Sequence, residues 1–463
     1  MPPLLILAIA VALVLGLILV LRLNAFIALI SVAVVVSLLA PGELEEKIPR
    51  VAVAFGVSAG KIGIPIAMAA IIGSCLLASG AADRIVRGML SLFGEKRGAT
   101  ALAASGFTLS IPVFFDTVFF LLVPLAKSLY QQTKQHYLKY LLAIGAGGAV
   151  AHTLIPPTPG PLMVASELDV DVGLMMLVGI AVGLPSMGIG LLVAGWLDRH
   201  LVLTHPPKFE QSEESQEPNE TAAEDPGLFV SSLPIVLPVL LVASQTILKR
   251  LAERSPENHQ LEHMVQVASL LGNPNFALLL AAAIALGIYV FFKRPTRKEV
   301  TELVDEALMS GGVIVLITAA GGAFGAMLQV AEIGTAIKDS FATAEAGGMA
   351  LLWLAFGIAS LMKVSQGSGT TAMITSSAML AAMLEGQSLA YNPVYLAQAI
   401  GCGALFGVWM NDSGFWLFCR MGGLTESEGL KTWTVILAVI GITSMLLTVG
   451  MATAFPMAEV AAN

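Results

Sequence analysis

Residues 4–21, 25–40, 228–248, 276–292 and 432–455 carry no charged side chain and are almost wholly apolar. With its flanks, each is long enough to cross a hydrocarbon core of about 30 Å as a helix. A segment in lipid must pair its own backbone N–H and C=O groups, and a continuous apolar run does this as an α-helix. Charged residues make up 12% of the 463-residue chain, against about a quarter in soluble domains. The expected fold is an all-α polytopic membrane protein. The start, Met-Pro-Pro-Leu-Leu, lacks a basic n-region, and no small-residue cleavage site follows. The first segment is therefore expected to stay in the mature chain.

One apolar run, residues 140–150, leads straight into Ala151-His152-Thr153-Leu154-Ile155-Pro156-Pro157-Thr158-Pro159-Gly160-Pro161. Proline lacks the backbone donor and clashes with the preceding turn, so the helix must break there. Freed backbone groups at membrane depth are tolerated only inside protein or against a watery cavity. A broken apolar helix therefore points to a transport site.

The two halves of the chain resemble each other. Leu23-Asn24-Ala25-Phe26 pairs with Asn273-Pro274-Asn275-Phe276, Ser58-Ala59-Gly60 with Ser310-Gly311-Gly312, and Gly73 with Gly325. Ile144-Gly145-Ala146-Gly147 pairs with Ile400-Gly401-Cys402-Gly403. Basic residues near membrane ends favour the cytoplasm. Lys293, Arg294, Arg297 and Lys298 place one loop inside, while its counterpart, with Glu43, Glu45 and Glu46, belongs outside. Equivalent loops on opposite sides imply two inverted repeats, 1–200 and 228–454. Each is expected to hold about five transmembrane helices plus a re-entrant hairpin (98–130 and 347–385), with broken helices (138–165 and 393–417) at the midplane. Residues 83–95 and 333–345 are expected to lie in the interface, and 201–227, rich in glutamate, to be a cytoplasmic linker. Both termini are predicted to be periplasmic.

Four polar breaks pair across the repeats: residues 110–117 with 363–371, and residues 152–160 with 409–414. An in-plane pseudo-two-fold would bring them together near the midplane. Gly367-Ser368-Gly369 lets amides and hydroxyls converge, and the half-helix after it turns a positive dipole end to an anion. The candidate substrate contacts are Ser110, Thr117, Thr153, Thr158, Gly160, Lys363, Gln366, Gly367, Ser368, Thr370, Thr371, Asn411, Asp412 and Ser413. For a single Ser or Thr, a bond to the preceding helical turn is the competing role.

A carboxylate inside a bilayer is a functional expectation by default. Asp116 is the leading candidate for proton coupling, with hairpin-tip acceptor or partner of Lys363 as alternatives. His152 is the second proton-coupling candidate, or an interior histidine with its bonds met. Asp412 could instead cap the half-helix that follows it. Lys363 could neutralise a substrate carboxylate, pair with Asp116, or snorkel to an interface. Cys75, Cys402 and Cys419 read as buried small hydrophobes, and no cysteine or histidine spacing suggests a metal. No catalytic set is present, so an enzyme is not expected. Hairpins without a ring of repeated charges argue against a channel.

At these residues the chain resembles the gluconate permease (GntP) family of the ion transporter superfamily, over nearly its whole length. The carriers are residues 107–124 with their Phe-Phe-Asp core, His152-x-x-x-Pro156-Pro157-x-Pro159-Gly160-Pro161, Gly367-Ser368 and Asn411-Asp412-x-Gly414-Phe415-Trp416-Leu417-Phe418. The resemblance implies proton-coupled uptake of gluconate or related hydroxy-acids across a bacterial inner membrane. It also implies a homodimer with an elevator mechanism, residues 1–95 and 228–345 forming scaffold and 96–200 and 346–454 moving. The family's gluconate carriers typically have His where Thr158 stands, Glu near Asp116 and Arg near Lys363. Transport of an organic anion is therefore expected, with gluconate itself one member of the class. The coupling ion is expected to be H⁺, with Na⁺ on the same architecture as the alternative. No cofactor and no nucleic-acid partner are expected.

Overall fold

The computed structural model describes residues 2–17, 21, 23–94, 97–133, 135–201, 226–254, 259–333, 348–384, 389–410 and 412–457. Almost the whole linker expected at 201–227, and nearly all of the interfacial piece expected at 333–345, lie outside them. The described residues are helical, with no strand among them.

The first half runs α1 (Pro3–Leu15), α2 (Ala25–Leu39), α3 (Pro49–Ala78), α4 (Ala81–Phe93), α5 (Gly98–Leu109), α6 (Phe115–Thr133), α7 (Tyr137–Leu154), α8 (Pro159–Glu167) and α9 (Val172–His200). The second runs α10 (Leu228–Arg254), α11 (His259–Leu271), α12 (Pro274–Lys293), α13 (Arg297–Val330), α14 (Ala350–Gln366), α15 (Gly369–Leu384), α16 (Val394–Leu405) and α17 (Ser413–Gly422). A short α18 (Glu426–Gly429) and a π-turn, Leu430–Thr434, lead into α19 (Val435–Ala454).

Polar residues between apolar runs set where helices begin. Asn24 and Asn273 cap α2 and α12, accepting from Phe26 N (2.9 Å) and Asn275 N (3.0 Å). Thr296 and Glu299 close a capping box on α13, satisfying two orphan donors reciprocally. Asp171 caps α9 through Leu174 N (2.7 Å) and also accepts from Thr246 Oγ1 of α10 (2.6 Å).

Seven spans among the described residues are long and apolar enough to cross a membrane, including α3, α9, α12, α13 and the broken α7–α8. The run at 25–40 forms α2, of 15 residues, and α1 takes up the first part of the run at 4–21, of which residues 18–20 lie outside the described residues. Helix α3 begins at Pro49. A proline in the first turn of a helix costs nothing, because its missing N–H would be unpaired there anyway.

The long helices α2, α3, α12 and α13 pack together, α13 lying along both α3 and α2. A second group holds α5 to α7 with α9, and α14 to α16 with α19. Close packing in this group rests on small residues, as is common where lipid removes the hydrophobic drive between helices. A side chain at Gly147 of α7 would run into Ala103 O and Phe107 N of α5. Between the groups, Ile62 and Ile66 of α3 meet Leu162 and Met163 of α8 and Ile374 of α15 in one buried cluster.

Candidate functional site

All four expected polar segments interrupt their helices. The first half breaks between α5 and α6 and between α7 and α8; the second breaks between α14 and α15 and between α16 and α17. Gly367 (φ 72°) and Gly407 (φ 81°) take left-handed backbone at the second pair, a conformation glycine reaches without strain.

The four breaks meet around one cavity of about 480 Å³. Phe115, Asp116 and Thr117 of α6, Pro159 of α8, Gly369 to Thr371 of α15, and Ser413 and Gly414 of α17 all line it. Four half-helices thus begin at the cavity, each with the positive end of its dipole there. His152, Thr153, Lys363, Ser368 and Asp412 complete the polar wall from the sequence-derived set.

The charged wall residues are Asp116, Lys363 and Asp412. Lys363 and Asp412 form a buried ion pair, at 5% and 7% exposure. Lys363 Nζ also donates to Gly367 O (3.2 Å), and Phe415 N donates to Asp412 Oδ1 (3.0 Å). Asp412 is therefore both the cap of α17 and the partner of Lys363, so neither snorkelling nor pairing with Asp116 describes this lysine. Asp116 is open to the cavity and has no hydrogen-bond or ion-pair partner among the described residues.

Several sequence-derived candidates stand elsewhere. Thr158 Oγ1 donates to His152 O and Ile155 O (both 2.8 Å), so its hydroxyl is spent on carbonyls freed by the proline break. Gln398 Nε2 of α16 donates to a third, Leu154 O (3.1 Å). Gly160 packs against Met373. Ser110 is fully buried with its hydroxyl unpartnered, and neither it, Gly160 nor Gly367 lines the cavity. Asn411 and the Gln366 side chain lie outside the described residues. His152 lines the cavity with Nδ1 buried and unpartnered and its ring edge-on to Phe114 (6.3 Å). Ser368 Oγ accepts from Thr371 Oγ1 (3.0 Å) and Thr371 N (3.3 Å), closing the first turn of α15.

Two wall elements escape a search for polar breaks. Ser310, Ile314 and Thr318 of α13 line the cavity, and their spacing of four puts them on one helix face. Trp433, in the π-turn, stacks on Phe418 (4.8 Å) and Phe115 (5.6 Å) and closes another side. A single-turn π-bulge is a frequent mark of functional sites, but nothing in the sequence announces one here.

A model of the GntP family permeases matches residues 2–454. The chain belongs to the GntP permease family. It is 33% identical over 440 residues to an uncharacterized permease of Haemophilus influenzae, covering 94% of this chain and 88% of that one. It is 30% identical to a gluconate permease of Pseudomonas aeruginosa over 92% of this chain and 93% of the relative. The fold is also that of the YdaH transporter of Alcanivorax borkumensis (TM-score 0.65, 12% identity, 94% of this chain and 98% of that one). The MtrF efflux pump of Neisseria gonorrhoeae is similar too (TM-score 0.67, 14% identity, 93% and 94%). The permease is thus a multi-pass membrane transporter.

Proposed function

We propose that the permease is a proton-coupled symporter that carries a small hydroxylated carboxylate of the gluconate type into the cell across a bacterial inner membrane. The observation that carries this reading is the unpartnered Asp116 beside the Lys363–Asp412 pair. Lys363 and Asp412 cancel, so an ionised Asp116 leaves the wall with an uncompensated negative charge. At short range in a low dielectric, a substrate carboxylate entering then meets strong repulsion. A proton on Asp116 removes it and leaves the positive dipole ends of the half-helices to hold the anion. Anion and proton therefore bind together, which is the requirement for symport. The hydroxyls of Ser310, Ser368, Thr370 and Thr371 supply partners for the hydroxyls of a sugar acid, and His152 can relay the proton or contact substrate.

The architecture proposed for this activity is two inverted repeats, with α5–α6 and α14–α15 as re-entrant hairpins. The helix groups fit a division into scaffold (1–95 and 228–345) and mobile unit (96–200 and 346–454), moving as an elevator within a homodimer, both termini periplasmic. The test is uptake by purified permease in proteoliposomes, screened over sugar acids, hydroxy-acids and hydroxy-amino acids with an imposed pH or Na⁺ gradient. Accumulation of a hydroxylated carboxylate driven by the pH gradient alone supports the reading; accumulation that needs Na⁺ after the pH gradient is collapsed replaces it with sodium coupling.

A further inference from the structure

A buried indole N–H without a partner stands in the cavity wall. Trp409 and Trp416, less deeply placed, donate from Nε1 to Val364 O (2.9 Å) and Met410 O (2.6 Å). Trp433 is 2% exposed, and its Nε1 has no hydrogen-bond partner among the described residues. Buried tryptophan N–H groups usually find a partner, and leaving one without is costly. An indole N–H can only donate, so what Trp433 lacks is an acceptor oxygen.

The packing of the ring leaves this edge to the cavity. A side chain at Gly145 of α7 would run into Cε3, Cζ3 and Cη2 of Trp433, so the benzo edge is seated on bare backbone there. Phe418 and Phe115 stack on the ring, with interplanar angles of 18° and 22°. The pyrrole edge, which carries Nε1, remains for the cavity that Trp433 lines. Gly145, Ala149 and His152 share one face of α7 by their spacing. Ala149 and His152 line the cavity as well, and so does Leu437, one turn beyond Trp433. The seat of Trp433 therefore continues directly into the wall.

The surroundings decide what kind of oxygen fits. Asp116 follows Phe115 in the chain, and a side chain at Gly414 would meet both Phe115 Cε1 (3.9 Å) and Asp412 Oδ1 (2.8 Å). Both carboxylates of the wall thus stand on the Phe115 side, beside Trp433. A second anionic group is disfavoured there, whereas a neutral hydroxyl is not. The starts of α8 and α15 lie together, Gly160 packing against Met373. They bring two positive dipole ends to the cavity with no carboxylate on either first turn.

We infer that Trp433 Nε1 donates a hydrogen bond to a hydroxyl oxygen on the carbon chain of the bound substrate, whose carboxylate lies at the starts of α8 and α15. Trp433 is then a specificity-determining residue: it selects polyhydroxylated acids over acids that leave its N–H unpaired. A missing hydroxyl strands a buried donor, and a site built in this way rejects such an analogue more strongly than an apolar pocket rejects a missing methylene. The inference rests on the substrate class proposed above.

The test measures binding of gluconate and a series of its monodeoxy analogues to the purified full-length permease by isothermal titration. Three proteins are compared: wild type, Trp433→Phe, and a protein with benzothienylalanine at position 433, which keeps the shape of tryptophan and carries sulfur in place of Nε1–H. For the wild type, one deoxy analogue should bind about tenfold more weakly than gluconate, the worth of one buried hydrogen bond. In both variants gluconate should weaken by about the same factor, and that analogue should bind as well as gluconate does. Should the void in Trp433→Phe prevent folding, the benzothienylalanine protein, with the melting temperature of the wild type, carries the test. The inference is overturned if the variants bind gluconate as the wild type does. It is equally overturned if they lose the same affinity for gluconate and for every analogue, which is the mark of a purely structural tryptophan. A wild type that binds none of these compounds overturns the substrate class and, with it, the acceptor assigned to Nε1. Wild-type binding with unaltered variants overturns the role of Trp433 alone.

Discussion

Lys363 and Asp412 close a buried ion pair across 49 residues of chain, joining the end of α14 to the start of α17. The pair holds two of the four breaks in fixed relation. Lys363 also reaches Gly367 O, and Asp412 also caps α17 through Phe415 N. Removing one member leaves the other charge uncompensated inside the bilayer, a loss of roughly 3–5 kcal/mol for buried pairs. Lys363→Met and Asp412→Leu are each expected to lower the melting temperature of the detergent-solubilised permease sharply and to abolish uptake. The double variant should recover much of the stability and none of the transport. Differential scanning fluorimetry beside uptake separates the two effects, and equal melting temperatures for all four proteins would contradict the strut role.

The charge balance of the cavity gives a pH prediction. Protonated Asp116 is the anion-binding form, so substrate affinity should be highest at low pH and fall as pH rises and the proton is lost. Asp116→Asn fixes the neutral state, so its affinity should be flat with pH and no weaker than that of the wild type at low pH. Isothermal titration across the neutral range checks the slope. A wild-type affinity that rises with pH would reverse the sign and remove Asp116 from the coupling step.

Thr158 and Gln398 are expected to act on the fold and not on substrate. Each satisfies backbone carbonyls orphaned where Pro156, Pro157 and Pro159 interrupt the helix. Thr158→Val and Gln398→Leu should each cost roughly 1–3 kcal/mol, the usual penalty for a buried acceptor left unpaired. The KM of the surviving protein should change little. A large rise in KM for Thr158→Val with unchanged stability would return this residue to the substrate site.

On α13, Ser310→Ala and Thr318→Val remove hydroxyls from the cavity wall without creating large voids. Thr318 already bonds back to Ile314 O at 2.6 Å, so Ser310→Ala should have the larger effect. It should raise KM for a polyhydroxylated substrate severalfold, by roughly 1 kcal/mol for one hydrogen bond. A substrate lacking hydroxyls should be insensitive to the change.

The breaks were legible in the sequence because their signals are local. Proline, glycine and polar residues inside a charge-free apolar run cannot belong to a lipid-facing helix, and each of the four segments singled out on this basis does interrupt one. Helix starts at Asn24, Asn273, Asp171 and Asp412 carried equally local cap chemistry. Partnerships across the fold were not legible. The sequence offered Asp116 as the partner of Lys363, and only the three-dimensional path brings Asp412 to it. Thr158 and Thr370 look alike in sequence, yet one spends its hydroxyl on the backbone and the other faces the cavity. Ser310 and Thr318 sit in an unbroken helix, where nothing marks a polar residue as cavity-facing until the neighbouring helix is known.

The most direct measurement of the central claim follows protons and substrate in the same vesicles. Wild-type permease is reconstituted with no imposed gradient of pH or Na⁺, a hydroxylated carboxylate is added outside, and external pH is recorded. Symport predicts that the outside becomes more alkaline as anion enters, with no response from Asp116→Asn. Substrate entry with no movement of protons, or entry that proceeds only with Na⁺ outside, would contradict it.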